Sequence, residues 1–198
     1  MDERLDTRDA ILKAAMDRIL HYGYGKTTMA EIASDCSMSA GNIYRFFKSK
    51  IDIAEAMARK INVEVFQTYA ELARDEDRSS LERLKEFFIY RMERTFELLE
   101  KDDKILEVAE VLGEERPTFA NEQLAQERIY LSEILNQGVA MGELKLEKDA
   151  NFTAEMLQVA FMKFGYPQLW SHLSLEKLHR EITGVMDIIC AALRSKSQ

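Results

Sequence analysis

Proline and glycine are scarce in this sequence, 2 and 8 residues in 198. So few chain-breaking residues, with 31% of the chain charged, favour an all-helical protein. Cysteine is limited to Cys36 and Cys190, far apart and without CxxC spacing, which argues against a disulfide scaffold or a zinc site. Two buried or half-buried thiols are expected instead. No apolar run approaches the roughly 20 residues of a membrane span. The start, MDERLDTRD, is charged and has no signal-peptide apolar segment, so a cytoplasmic location without a membrane partner is expected. There is no glycine-rich phosphate loop, no internal repeat and no low-complexity segment. The three histidines, His21, His172 and His179, fall near expected helix ends or surfaces, and no nucleophile converges on them. The acids Glu107, Glu110, Glu114 and Glu115 read as a solvated helix face rather than a metal cluster. The sequence is therefore not read as an enzyme, and no cofactor or metal is expected.

The residues that are present point elsewhere. Hydrophobic residues make up 46% of the chain, enough for a real core. The net charge is −8, which alone argues against nucleic acid. Its distribution answers part of that: residues 1–50 carry +1 and residues 51–198 carry −9. Local phosphate contacts, not total charge, set DNA affinity. The thin positive margin predicts modest binding that falls steeply with salt.

The stretch from Lys26 to Asp52 contains successive helix starts. Thr28-Met29-Ala30-Glu31 has the form of a capping box, in which a hydroxyl takes the N3 amide and a glutamate reaches back to the cap amide. Ser39 opens a short helix over Ala40 to about Phe47, and Ser49 to Asp52 has the form of another box. Asp35 to Met38 has the length of a helix-turn-helix turn. Ile32, Ala33, Met38, Ile43 and Phe47 are spaced to pack the two helices together, leaving Ser39, Ala40, Asn42, Tyr44 and Arg45 mostly outward. No Asp or Glu lies between Cys36 and Ile51, whereas Arg45, Lys48 and Lys50 do. Such a helix suits the DNA major groove.

Thr27-Thr28, Ile32-Ala33, the run Met38 to Phe47 and Ser49-Lys50 resemble the DNA-binding domain of tetracycline-repressor (TetR-type) regulators. The sequence departs from that pattern at Ser37, where glycine is usual, and at Ile51, where glutamate is common. Ser37 must then adopt the turn geometry without glycine's freedom. The resemblance covers roughly the first 55 residues. It implies DNA contact by this group. Thr27, Thr28, Tyr44, Lys48 and Lys50 form the backbone-positioning set, aided by helix-start amides. Ser39, Ala40, Asn42 and Arg45 are the base readers, because Asn pairs with adenine and Arg with guanine. Gly41 lets the helix come close to DNA. Individual alternatives stay open: Asn42 as part of the cap, Arg45 on phosphate, Tyr44 as a core aromatic.

Around this unit, Met1 to Asp6 reads as a polar arm whose Arg4, with Arg8, is placed to touch phosphate or the minor groove, or as a disordered tail. Thr7 caps a helix to about Tyr22 that Gly23 ends in the left-handed region. Residues 51 to about 75 read as one unbroken helix, so the expected domains are 1–50 and 51–198 with that helix linking them. Further helices are expected over about 80–99, 104–112 (ended at Gly113), 118–141, 146–165 and 175–194.

The second part concentrates aromatic and Met side chains. Phe66, Tyr69, Phe88, Met92, Phe96, Tyr130, Met156 and Phe161 suit an adaptable apolar pocket, and equally an ordinary core. The resemblance favours an effector among the central helices, and an apolar or amphipathic one is expected. Phe152, Met156 and Val159, with Leu178, Ile182, Val185, Met186 and Ile189, form apolar stripes that two copies would combine into a four-helix dimer interface, although part of each stripe must pack within its own chain. A single short reading helix covers few base pairs, so a homodimer on a palindromic double-stranded operator is expected. The expected protein is all-α, with an N-terminal three-helix helix-turn-helix domain and a C-terminal helical ligand-binding and dimerisation domain. It would act as a repressor released by a small molecule. A DNA-anchored adaptor without an effector, and a small-molecule binder or enzyme with a helix-turn-helix-like start, are the rivals.

Overall fold

The structure, a computed structural model, describes residues 3–101, 104–170 and 172–195. Among these residues the regular structure is helical, apart from one isolated bridge between Leu144 and Arg194. No helix among them is long and apolar enough to cross a membrane. The chain forms two compact units: residues 1–63 with 99–120, and residues 64–98 with 121–198.

In the first unit, helix α1 (Glu3–Tyr22) starts four residues before the expected Thr7. Glu, Arg and Leu are good helix formers, and nothing at residues 3–6 stops the helix from extending. Of the expected arm, Met1 and Asp2 lie outside the described residues, as does the Arg4 side chain. Ile11, Ala15 and Ile19 recur at four-residue steps and are fully buried. Gly23 then takes φ +91°, and its N–H donates to the Ile19 carbonyl at 2.8 Å.

Helix α2 (Met29–Asp35) begins at the Thr28 capping box, with both of its reciprocal bonds formed. The turn to α3 (Ala40–Ile43) passes through Ser37 at φ 54°, so serine does take the left-handed position. Met38 N–H closes the turn on the Ala33 carbonyl at 2.9 Å. Helix α3 is shorter than expected. After Ile43 the chain tightens into i→i+3 turns, Arg45 N–H to the Asn42 carbonyl and Phe46 N–H to that of Ile43, rather than continuing to Phe47. Helix α4 (Lys50–Arg74) runs 25 residues without a break, residues 50–63 in the first unit and 64–74 in the second.

Helix α5 (Ser80–Lys101) opens at a capping box formed by Ser79 and Glu82. The expected interruption at 101–103 lies largely outside the described residues. Helix α6 (Ile105–Glu115) runs through Gly113 instead of stopping there. Gly113 is in open space, and no left-handed φ ends the helix at that point. Val108 and Leu112 bury α6 in the first unit's core, with Ile11, Ile19, Ile32, Ile43, Phe47 and Ile53. Helix α7 (Pro117–Ala140) ends at Gly142, φ +74°. The single helix expected over 146–165 is two: α8 (Ala150–Ala160), capped by the Asp149 carboxylate, and α9 (Met162–Gly165). A single 3-10 turn at Pro167–Leu169 precedes α10 (Leu175–Leu193), which Ser174 caps.

Candidate functional site

The residues expected to read DNA lie on α3 and the turn after it. Ser39 caps α3, its Oγ accepting from Asn42 N–H at 3.2 Å. The cap uses the Asn42 backbone, so the Asn42 side chain stays available. Ala40 and Gly41 are exposed, and a Cβ added at Gly41 would meet nothing within 4 Å. Nothing inside the chain therefore demands glycine at that position. Ile43 and Phe47 anchor the segment in the core, while Tyr44 is 52% exposed, which removes the core-aromatic reading. Arg45 and Lys48 are exposed and, among the described residues, pair with no carboxylate. The positive groups of this stretch thus face solvent uncompensated.

Two members of the expected positioning set are used internally. Thr27 is 1% exposed, and its hydroxyl donates to the Gly23 carbonyl at 2.9 Å. Lys50 Nζ donates to the carbonyls of Tyr24 (2.6 Å) and Thr27 (2.8 Å) and lies 4.0 Å from the Tyr24 ring centroid. Burial lowers its pKa from the usual lysine value. Both residues shape the loop before α2 and present no free polar group outward. Thr28 is exposed, but its hydroxyl is committed to Glu31. That hydrogen bond holds the Glu31 carboxyl below the usual carboxylate range.

The same loop is held by α6. Glu107 accepts the Tyr24 N–H at 2.8 Å, and Lys104 Nζ donates to the Leu20 carbonyl at 2.8 Å. Arg116 bridges Asp52 (2.6 Å) and Glu55 (3.1 Å) on α4. Arg18 forks onto Asp35 at 2.5 and 2.8 Å, fixing α1 to α2. Glu107 belonged to an acidic run read as a solvated face. A single sequence carries no signal that one of those acids caps a distant loop.

In the second unit, seven of the eight expected pocket residues are buried or half-buried: Phe66, Tyr69, Phe88, Met92, Phe96, Tyr130 and Phe161. They do not all meet one another. Tyr69 stacks on Phe87 at 3.6 Å between centroids, with Phe66 and Tyr130 each 6.3 Å away. Phe88 stacks on Phe161 at 4.1 Å, and Phe96 faces Trp170 at 6.3 Å. Met156 is 42% exposed and points away from such packing. The expected set missed Phe87 and Tyr90 in the Tyr69 cluster, and the ion pair of Arg91 with buried Glu127. A charge at Arg91, four residues after Phe87 on a helix with a buried stripe, was the available signal.

The dimer stripes divide in two. Phe152, Met156 and Val159 on α8, followed by Met162, are exposed. Leu178, Ile182 and Met186 on α10 are buried within their own chain and offer nothing to a partner, while Val185 and Ile189 are half-buried. The two cysteines are free and half-buried. No cluster of potential metal ligands occurs among the described residues.

A three-helix head with an unpaired basic reading turn, followed by an all-helical unit with an aromatic interior, defines a helix-turn-helix transcriptional regulator with a helical regulatory domain. Comparison with known proteins gives the family. Residues 11–57 match the family model described as bacterial regulatory proteins, tetR family, and residues 80–186 match the tetracyclin repressor-like C-terminal domain. The chain belongs to the TetR family. It is 26% identical over 176 residues to the HTH-type transcriptional repressor BepR of Brucella suis biovar 1, covering 86% of this chain and 83% of that one. Its fold is similar to SmeT, the repressor of the Stenotrophomonas maltophilia multidrug efflux pump SmeDEF (TM-score 0.69, 19% identity, 96% and 91% covered), a protein also solved as a triclosan complex. It is similar as well to the Bacillus subtilis regulator FadR in complex with stearoyl-CoA (TM-score 0.66, 21% identity, 89% and 96% covered).

Proposed function

We propose that this TetR-family regulator is a repressor that binds a palindromic operator as a homodimer and is released by a small apolar or amphipathic effector. The observation that carries the DNA contact is the outward, unpaired set of Asn42, Tyr44, Arg45 and Lys48 beside the open Gly41. Asn42 and Arg45 read base edges, and Tyr44 and Lys48 position the backbone. The exposed face of α8 and the start of α9 support dimerisation: Phe152, Met156, Val159 and Met162 form an apolar stripe that a second copy covers.

The effector reading is supported by the aromatic interior of the second unit, and by SmeT and FadR, which have been solved with triclosan and stearoyl-CoA. Helix α4 contributes residues to both compact units, so a displacement of it on effector binding changes both. In the dimer, the reading turns must sit about one DNA turn apart, roughly 34–36 Å. An effector acts only through its differential affinity for the operator-competent and released states. The test is fluorescence anisotropy of operator DNA bound by the purified protein, titrated with a chemically broad panel. Release by at least one apolar or amphipathic compound supports the reading. Unchanged affinity across the panel would favour a DNA-anchored adaptor instead.

A further inference from the structure

Tyr69 is fully buried among aromatic rings, and its hydroxyl finds no acceptor for its proton in the structure. Phe87 stacks on it at 3.6 Å, and Phe66, Tyr90 and Tyr130 surround it at 6.2–6.3 Å. A buried hydroxyl whose proton lacks an acceptor loses part of its hydration without compensation, and so asks for an explanation. Arg91 beside it bears only donors, so it can give the hydroxyl a hydrogen bond but cannot take its proton. Arg91 is in turn ion-paired with Glu127, whose side chain is 7% exposed. An acceptor for the Tyr69 hydroxyl must therefore come from outside this group. Burial raises the Tyr69 phenol above its ordinary value, opposed by Arg91, so the hydroxyl stays protonated and remains a donor.

We propose that the Tyr69 hydroxyl is the hydrogen-bond donor of the effector site, and that this site takes an uncharged aromatic molecule carrying one hydrogen-bond acceptor. This rests on the reading that the second unit binds an effector. The ring cluster supplies flat apolar surface, and the half-buried Phe66 and Tyr130 bring it to solvent. The charge requirement follows from the ion pair. Arg91 and Glu127 neutralise each other, so an anion must draw Arg91 away and strand Glu127 in the interior. A cation must displace Arg91 from Glu127, which Arg91 already neutralises. A buried charge that loses its partner is strongly unfavourable, whereas a neutral guest leaves the pair intact.

The test uses matched naphthalenes on the full-length protein: 2-ethylnaphthalene, 2-acetylnaphthalene, 2-naphthoate and 2-(aminomethyl)naphthalene. Binding is measured by calorimetry and by release from operator DNA, for wild type and Tyr69→Phe. The ketone is expected to bind about tenfold more tightly than either charged compound and several-fold more tightly than the hydrocarbon. Tyr69→Phe should remove the ketone's advantage, leave hydrocarbon binding unchanged and not lower the stability of the free protein. A charged member binding best, or a ketone advantage that survives in Tyr69→Phe, would overturn the proposed class while leaving effector binding in place. Binding by none of the compounds would overturn the proposed class, while the broad panel decides the effector reading by itself.

Discussion

The guanidinium of Arg8 donates to the backbone carbonyl of Phe46 at 3.3 Å and lies 4.1 Å from the centroid of the Phe47 ring. An arginine that the sequence alone offers to phosphate or the minor groove thus holds the turn that carries Tyr44 and Arg45. Arg8→Ala should weaken operator binding by loosening that turn. Its salt dependence should match wild type, since no phosphate contact is lost. A lost contact would reduce the slope of log K against log salt by about 1. Anisotropy titrations at several salt concentrations distinguish the two.

Gly41 and Gly138 should respond oppositely to alanine. At Gly41 the added methyl meets nothing, so stability should hold or rise by up to about 1 kcal/mol, while operator affinity falls because the surface facing DNA has grown. At Gly138 the methyl would stand 2.5 Å from Leu144 Cδ1 and 2.6 Å from Ser80 Oγ. Leu144 is buried and cannot easily give way. The overpacking penalty of about 1–3 kcal/mol outweighs the helix-propensity gain of about 1 kcal/mol. Urea unfolding of both variants checks the signs.

The α8 and α10 stripes should separate in the same manner. Met156→Glu with Val159→Glu places charge on an exposed face, so the protein should fold but elute as a monomer and lose operator affinity. Leu178→Ala or Ile182→Ala removes side chains buried in their own chain, and should cost about 2–5 kcal/mol of stability. Light scattering and urea unfolding together report both effects.

Acid should destabilise the DNA-binding unit. Arg18 holds Asp35 below its usual value of 3.8, and the Thr28 hydroxyl holds Glu31 below 4.5. Asp52 is opposed by burial, but Arg116 and Ser49 outweigh that and lower it too. A carboxylate with a depressed folded pKa contributes stability that is present above its unfolded pKa and lost as pH falls through the folded one. Stability should therefore be flat above about pH 5 and fall below about pH 4. Asp35→Asn and Asp52→Asn should each flatten that fall in pH-dependent urea unfolding.

Much of this was legible in the sequence, for physical reasons that can be named. The capping box of Thr28 and Glu31, the left-handed Gly23 and the strained Ser37 are local, set by neighbours within a few residues. The buried Ile11, Ala15 and Ile19 follow from helical period alone. What could not be read depends on distant partners. Thr27 and Lys50 look like DNA contacts by position, and only the fold shows them holding the loop before α2. Met156 fits the pocket and the dimer stripe equally by type, and only packing shows it outward. The burial of Val108 and Leu112, which anchors α6 on the residues before Gly113, likewise depends on partners distant in sequence.

The most direct test of the account is a selection of bound sequences from random duplex DNA by the purified protein, followed by titration of the selected site with wild type, Asn42→Ala and Arg45→Ala. The account predicts a two-fold symmetric site bound by a dimer. Each variant should lose about 1–3 kcal/mol of binding and relax specificity at matching positions in the two half-sites. No enriched sequence, or an enriched site bound equally well by both variants, would contradict it.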